Sequence, residues 1–311
     1  MSSSKRFVRE EERGNCKTTI LKIPSFQSQF ATQNYLSGRD KSALTKQRAQ
    51  LVDWMIDLCD HLEQTHDVLY LGVKLMDLYY SKIKNTDFSM MPYVACSSLF
   101  ISSKFDSRSP PYIREFVEEC LQQPCSAHLV RGYERRILDQ LGFDINAPTA
   151  YDFLRIFGSK NQVELKVLTR ARYYLELSLF FLDFCELSES KLASAALLLA
   201  LRTSETGNWN SSLTMLTGYS MGDVEPLMFD LNHMVHRFGR VFTMNWKVIV
   251  NAFFKVAKMP LLPDLHPVTA PIKPRASNVA NIPDETSEPP RKRRREALSI
   301  RQNSNAHNSN R

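Results

Sequence analysis

The sequence contains no run of 18 apolar residues, the least that a membrane-spanning helix needs. Its first residues, Met1-Ser2-Ser3-Ser4-Lys5-Arg6, are not followed by the apolar core of a signal peptide. A soluble, intracellular chain is expected. Glycine is scarce, with 10 residues in 311, and the alternating apolar and polar runs of half-buried strands are rare, which favours an all-α fold. No glycine-rich loop is present to cradle a phosphate, and His233 and His236 are the only histidines that approach a metal-ligand spacing. Of the six cysteines (Cys16, Cys59, Cys96, Cys120, Cys125 and Cys185), Cys120 and Cys125 come closest to a pair, without the second pair that a zinc site requires. Reduced core thiols, no metal and no cofactor are expected. With no acid, base and nucleophile converging in any motif, catalysis by the chain itself is not expected either.

Positive charge is in excess, at +7, but its location matters more than its size. From Met259 onward nine Lys/Arg face five Asp/Glu, so +4 lies in the tail and only +3 on the preceding 258 residues. A DNA-binding core needs a basic stripe, and nucleic acid is therefore not an expected partner.

What the sequence does have is helix. Tyr93 to Lys104 is apolar or small at every position before its terminal lysine, so this helix should be buried on all sides rather than along one face. Its serines can satisfy their hydroxyls on carbonyls one turn back. Val94–Lys104 superposes on Leu192–Arg202, small on small and large on large, at an offset of 98 residues. That offset suits a duplicated small domain and is too long for a solenoid repeat. Two tandem helical domains follow, each wrapped around one buried helix.

The expected boundaries are an N-terminal arm at 1–42, a first domain at 43–142, a second at 143–238, a terminal amphipathic helix within 239–258, and a disordered basic tail at 259–311. The arm holds one apolar island, Ile20 to Phe26, and the tail holds eight of the 15 prolines. In the first domain helices are expected from Ala43, from Val68 to Ile83 with Asp67 as N-cap, over the buried stretch, and at Ile113–Cys120 and Ser126–Leu141, with Gly142 as the stop. In the second they are expected at Thr149–Phe157, Val163–Leu182, Ser190–Ser204, Ser211–Leu216 and from Gly222 or Asp223 to Phe238.

Gln47-Arg48-Ala49-Gln50-Leu51-Val52-Asp53-Trp54-Met55, Leu69-Tyr70-Leu71-Gly72-Val73 with Asp77, Ser102-Ser103-Lys104-Phe105, Tyr133-Glu134 and Phe143-Asp144-Ile145-Asn146-Ala147-Pro148-Thr149 together resemble the cyclin box. The likeness runs from about residue 43 to 238. It is similar to cell-cycle cyclins of types A, B and E, with some features like cyclin J. The resemblance implies two five-helix domains and a regulatory subunit that binds and activates a cyclin-dependent protein kinase.

It further implies that Lys104 and Glu134 hold the kinase's C-helix region, with Phe105, Leu138, Phe143 and Ile145 as apolar contacts around them. The alternative for Lys104 and Glu134 is an internal salt bridge. Arg48 and Asp77 match a structural ion pair. The family's substrate-docking patch departs from type, because Gln47 and Gln50 stand where aliphatics are usual. Leu51 and Trp54 are kept, Asp57 replaces Glu, and Pro92 replaces Gln, so weakened docking is expected. The loop after the buried helix offers only Asp106 and Ser107 in place of an acidic pair. The rival reading is a cyclin-fold scaffold or transcription-factor-like protein without kinase activation.

In the tail, Arg291-Lys292-Arg293-Arg294-Arg295 reads as a nuclear import signal or a nucleic-acid patch. Arg295, Leu298 and Asn303 fit a destruction-box pattern. An import receptor, a ubiquitin ligase and a nuclear as well as cytoplasmic location are the corresponding expectations.

Overall fold

The computed structural model describes residues 27–36, 41–83, 87–120 and 125–241. The Ile20–Phe26 island, the helix expected within Trp246–Lys258, the basic cluster Arg291–Arg295 and the pattern Arg295, Leu298, Asn303 lie outside the described residues. Among the described residues there are ten α-helices and no strand. The first five are α1 (Lys41–His61), α2 (His66–Lys82), α3 (Met91–Asp106), α4 (Ile113–Glu119) and α5 (Ala127–Leu141). The second five are α6 (Ala150–Lys160), α7 (Leu165–Ser178), α8 (Glu189–Thr203), α9 (Ser211–Thr217) and α10 (Met221–Val241).

Each set is built around its third helix. α3 is buried without interruption from Met91 to Ser103 and packs against α1, α2, α4 and α5. α8 is buried from Leu192 to Leu201 and packs against α6, α7 and α10. The small side chains of α3 let its neighbours approach closely, and its hydroxyls do more than bond back along their own helix. Ser97 Oγ donates to the Val130 carbonyl of α5 (3.0 Å) and Ser102 Oγ to the Val68 carbonyl of α2 (2.8 Å). The buried serines thus tie α3 to two neighbours.

Several expected helix ends move, and three of the shifts have a clear local reason. Helix α2 starts at His66 behind Thr65, so Asp67 is not the cap; it lies in the first turn and pairs with Arg155 of α6 at 3.0 Å. α7 stops at Ser178 rather than Leu182, because the chain turns there and the Leu179 carbonyl is taken by Arg48 Nη1 of α1 (2.8 Å). α3 begins at Met91, two residues early, on a short 3-10 turn whose start is fixed by the Asp87 carboxylate accepting from Ser89 N (2.9 Å).

Polar contacts join the two halves. Lys74 of α2 meets Glu189 of α8 at 2.6 Å, and the other Glu189 oxygen accepts from Ala150 N at the start of α6 (2.8 Å). His66 Nδ1 lies 3.3 Å from Glu176 of α7, and Tyr70 Oη donates to the Arg172 carbonyl (3.2 Å). Residues 27–36 cross both halves. Tyr35 Oη donates to Asp77 of α2 (2.8 Å), Gln27 Nε2 to Ser190 of α8 (3.0 Å), and Thr32 Oγ1 to the Cys185 carbonyl.

Candidate functional site: the exposed end of α3 against α5

Burial on α3 ends abruptly. Ser103 is inside, and the next residue, Lys104, carries its charge to the surface. Helix α5 is set against it by Ser126, whose Oγ accepts from Leu129 N (3.2 Å), and is ended by Gly142 in the left-handed conformation. Its buried stripe is Val130, Tyr133, Ile137 and Leu141, which leaves Glu134 and Leu138 on the flank facing the end of α3. Lys104 Nζ bonds Glu134 Oε1 and lies 4.3 Å from the centre of the Phe100 ring. The internal salt bridge considered above therefore exists. Because the Lys104 side chain is still 40% exposed, the pair remains open to a partner.

Phe105, Leu138 and Ile145 are half-buried against the core beside this pair. Phe143 behaves differently. It is 67% exposed, and its φ of +61° is one that a bulky residue rarely adopts. Its backbone N donates to the Leu138 carbonyl (2.8 Å), which holds the backbone in that conformation. A second exposed aromatic, Tyr112 at 71%, was not singled out from the sequence. Pro110-Pro111 hold the chain extended ahead of it, and its backbone N donates to Glu115 Oε2 (2.5 Å) at the start of α4. The double proline before an aromatic was the available signal.

The ion pair read as structural is buried at the junction of the halves. Arg48 Nε and Nη2 donate to Asp77 at 2.9 and 2.6 Å. Burial pulls the Arg48 guanidinium down, but Asp77 and Tyr35 beside it more than offset this and hold it above its ordinary value.

The matched docking patch needs a correction. Leu51 and Trp54, expected as surviving apolar contacts, are 2% and 5% exposed, and Trp54 Nε1 is committed to the Glu119 carbonyl (2.9 Å). Pro92 is buried as well. What faces outward is Gln50, with Gln47 and Asp57 half-buried. The apolar members moved inward because α1 packs its stripe on α2 and α3.

Among the described residues, Cys59, Cys125 and Cys185 are thiols with little thiolate character. Burial pushes Cys59, Cys125 and Cys185 up to about 12. Among the described residues no cluster of His, Cys, Asp and Glu could hold a metal, and no helix is long and apolar enough to cross a membrane.

The family model for the cyclin N-terminal domain matches residues 22–146, and that for the cyclin C-terminal domain matches residues 148–260. The chain belongs to the cyclin family. This cyclin is 35% identical over 242 residues to the G2/mitotic-specific cyclin-B3 of Caenorhabditis elegans, an alignment covering 76% of this chain and 62% of that one. It is 35% identical over 245 residues to the cyclin-B3 of Drosophila melanogaster, covering 76% and 42% respectively. It is 28% identical over 240 residues to the cyclin-B2 of Bos taurus, covering 76% and 59%. The chain thus spans less than two thirds of the length of these relatives.

Among solved structures, a viral cyclin from herpesvirus saimiri aligns with a TM-score of 0.55 at 20% identity, over 71% of this chain and 96% of that one. A chain of the yeast RNA Pol II CTD kinase CTDK-1 complex aligns at 0.54 and 17%, over 72% and 81%. These two likenesses speak to the fold alone.

Proposed function

We propose that this cyclin binds a cyclin-dependent serine/threonine kinase and activates it, contributing no catalysis of its own. Phe143 carries the reading. An isolated chain gains nothing from a phenylalanine held outward in a left-handed backbone conformation; a partner that covers the ring does gain, by about 1.5–3 kcal/mol for a fully buried aromatic. The Lys104–Glu134 pair, with Lys104 exposed and Glu134 half-buried, can hydrogen-bond the backbone or end groups of a partner helix. Phe105, Leu138 and Ile145 supply the apolar rim that excludes water from those bonds. Moving a kinase's C-helix inward on this surface would let its glutamate pair with the lysine over the ATP phosphates.

Docking of substrates through an Arg-x-Leu peptide is weak in this reading, since the apolar members of the matched patch are buried. The basic cluster Arg291–Arg295 would direct the chain to the nucleus through an import receptor. Arg295, Leu298 and Asn303 would present it to a ubiquitin ligase.

The test is co-purification of the full chain with a panel of cyclin-dependent kinases, with histone phosphorylation as the readout. Wild type should bind and activate at least one, and Lys104→Ala/Glu134→Ala should lose both properties while keeping its helical circular dichroism. Unchanged activation in that double variant would remove the assignment.

A further inference from the structure

The arginines of the first domain divide sharply by what they touch. There are six between Lys41 and Gly142. Arg48 is buried on Asp77, while Arg114 and Arg136 lie over the rings of Tyr112 and Tyr133 at 5.3 and 5.1 Å. The other three, Arg108, Arg131 and Arg135, are exposed and have no carboxylate in salt-bridge range among the described residues.

Two of them lie on α5, and the third follows the end of α3 in the chain. Arg108 lies two residues beyond the end of α3, four after Lys104. On α5, Arg131, Glu134, Arg135 and Leu138 follow the i, i+3, i+4, i+7 spacing that makes a single strip along a helix. That strip runs beside the buried stripe of α5 and contains the site's own Glu134 and Leu138.

The one carboxylate of the strip is already engaged by Lys104. The uncommitted charge on it is therefore entirely positive. Arginine presents a rigid, planar fork of donors that suits a carboxylate in bidentate fashion. It loses less on desolvation than a lysine would, which matters at the margin of an interface.

We infer that Arg131 and Arg135, with Arg108 beside them, form a cationic rim that selects a kinase carrying carboxylates next to the segment gripped by Lys104 and Glu134. The inference rests on the kinase-binding reading above and adds to it the chemistry by which one kinase is preferred over another. Charges at a rim act chiefly on encounter: they raise the association rate, and they do so less as salt rises. The central pair and Phe143, by contrast, govern how long the complex lasts.

The experiment follows association and dissociation of the full chain with each of a panel of purified, unphosphorylated cyclin-dependent kinases, from about 50 to about 500 mM salt. Wild type, Arg131→Glu/Arg135→Glu, the milder Arg131→Gln/Arg135→Gln and Lys104→Ala/Glu134→Ala are compared. Lys166→Glu, on the exposed start of α7 in the other domain, is the control for a charge reversal away from the rim. The reversal should slow association about tenfold at low salt and flatten its salt dependence, with the gap closing at high salt. The glutamine pair should do the same to a smaller degree, and Lys166→Glu should do neither.

Wild-type rates and wild-type salt dependence in the reversal variant, alongside loss of binding in Lys104→Ala/Glu134→Ala, would overturn the rim and leave the kinase reading standing. Sensitivity to the arginines that emerges only with a phosphorylated kinase would also overturn it, because the rim would then read phosphate. Failure of wild type to bind any kinase would overturn both.

Discussion

Replacing Asp77 with leucine tests how the two halves and the arm are held together. Asp77 is 3% exposed and Arg48 is 1% exposed, so neither charge has water to fall back on. In wild type the carboxylate accepts from Arg48 Nε (2.9 Å), Arg48 Nη2 (2.6 Å) and Tyr35 Oη (2.8 Å). Removing it leaves the guanidinium with a single acceptor, the Leu179 carbonyl of the second domain, and leaves the Tyr35 hydroxyl without this one. Breaking a buried pair from one side costs about 3–5 kcal/mol, mostly from the orphaned charge. Replacing both members with apolar residues of similar size removes that orphan. Arg48→Met/Asp77→Leu should therefore recover most of the loss and lie within about 1–2 kcal/mol of wild type. Urea unfolding followed by far-ultraviolet circular dichroism and by tryptophan fluorescence measures both variants. Hydrogen exchange at the C-terminal end of α7 should rise in the single variant, where Arg48 reaches across. A single variant destabilised by less than about 1 kcal/mol, or a double variant no better than the single, would refute the reasoning.

Further outcomes follow from the same structure. An alanine at Gly72 would place its Cβ 2.8 Å from Leu99 Cδ1 and 3.2 Å from Met55 Cε, both in the core, and should cost about 1–3 kcal/mol by overpacking. Gly132 has nothing within 4 Å of a Cβ, so alanine there should stabilise α5 by about 0.5–1 kcal/mol; thermal melts that move the same way for both would contradict the packing. Phe143→Gly should relieve the left-handed strain and raise stability by up to about 1 kcal/mol while shortening the lifetime of the kinase complex. Burial pushes Glu176 up to about 7 from 4.5 against the pull of Arg172, and burial with Arg172 holds His66 down to about 4 from 6.5. The raised acid favours the fold below 4.5 and loses that contribution as pH rises through 7, whereas the depressed imidazole favours the fold above 6.5 and loses it as pH falls through 4. Their slopes oppose each other between 4.5 and 6.5. Glu176→Gln should therefore expose a stability that climbs with pH in that window, and His66→Asn one that declines toward pH 7; urea midpoints parallel to wild type in both would refute the shifts.

The helices and their duplication were legible because they rest on local quantities. An uncharged run of apolar and small residues such as Tyr93–Ser103 has to be buried on every side wherever it is placed, and Leu192–Arg202 repeats the pattern. Ser126, Thr149 and Gly142 mark helix ends through hydrogen bonds and dihedrals within a few residues. The cyclin-box resemblance pointed to Lys104 and Glu134, 30 positions apart, which no spacing rule could have joined.

The sequence by itself determined where helices form and which two are central, since propensity, capping and periodicity act over a turn or two. Only the tertiary structure decided which side chains are left over once the helices have met. Leu51 and Trp54 read as surface contacts and are core, because α2, α3 and the Glu119 carbonyl close over them. Phe143 is a hydrophobe that the fold turns outward, because Gly142 and the Leu138 carbonyl set its backbone. Arg48 and Arg131 carry the same charge on neighbouring parts of one domain, yet one is sealed on Asp77 and the other is free. Pairing and exposure depend on distances between residues far apart in the chain, and those distances come into being only when the helices pack.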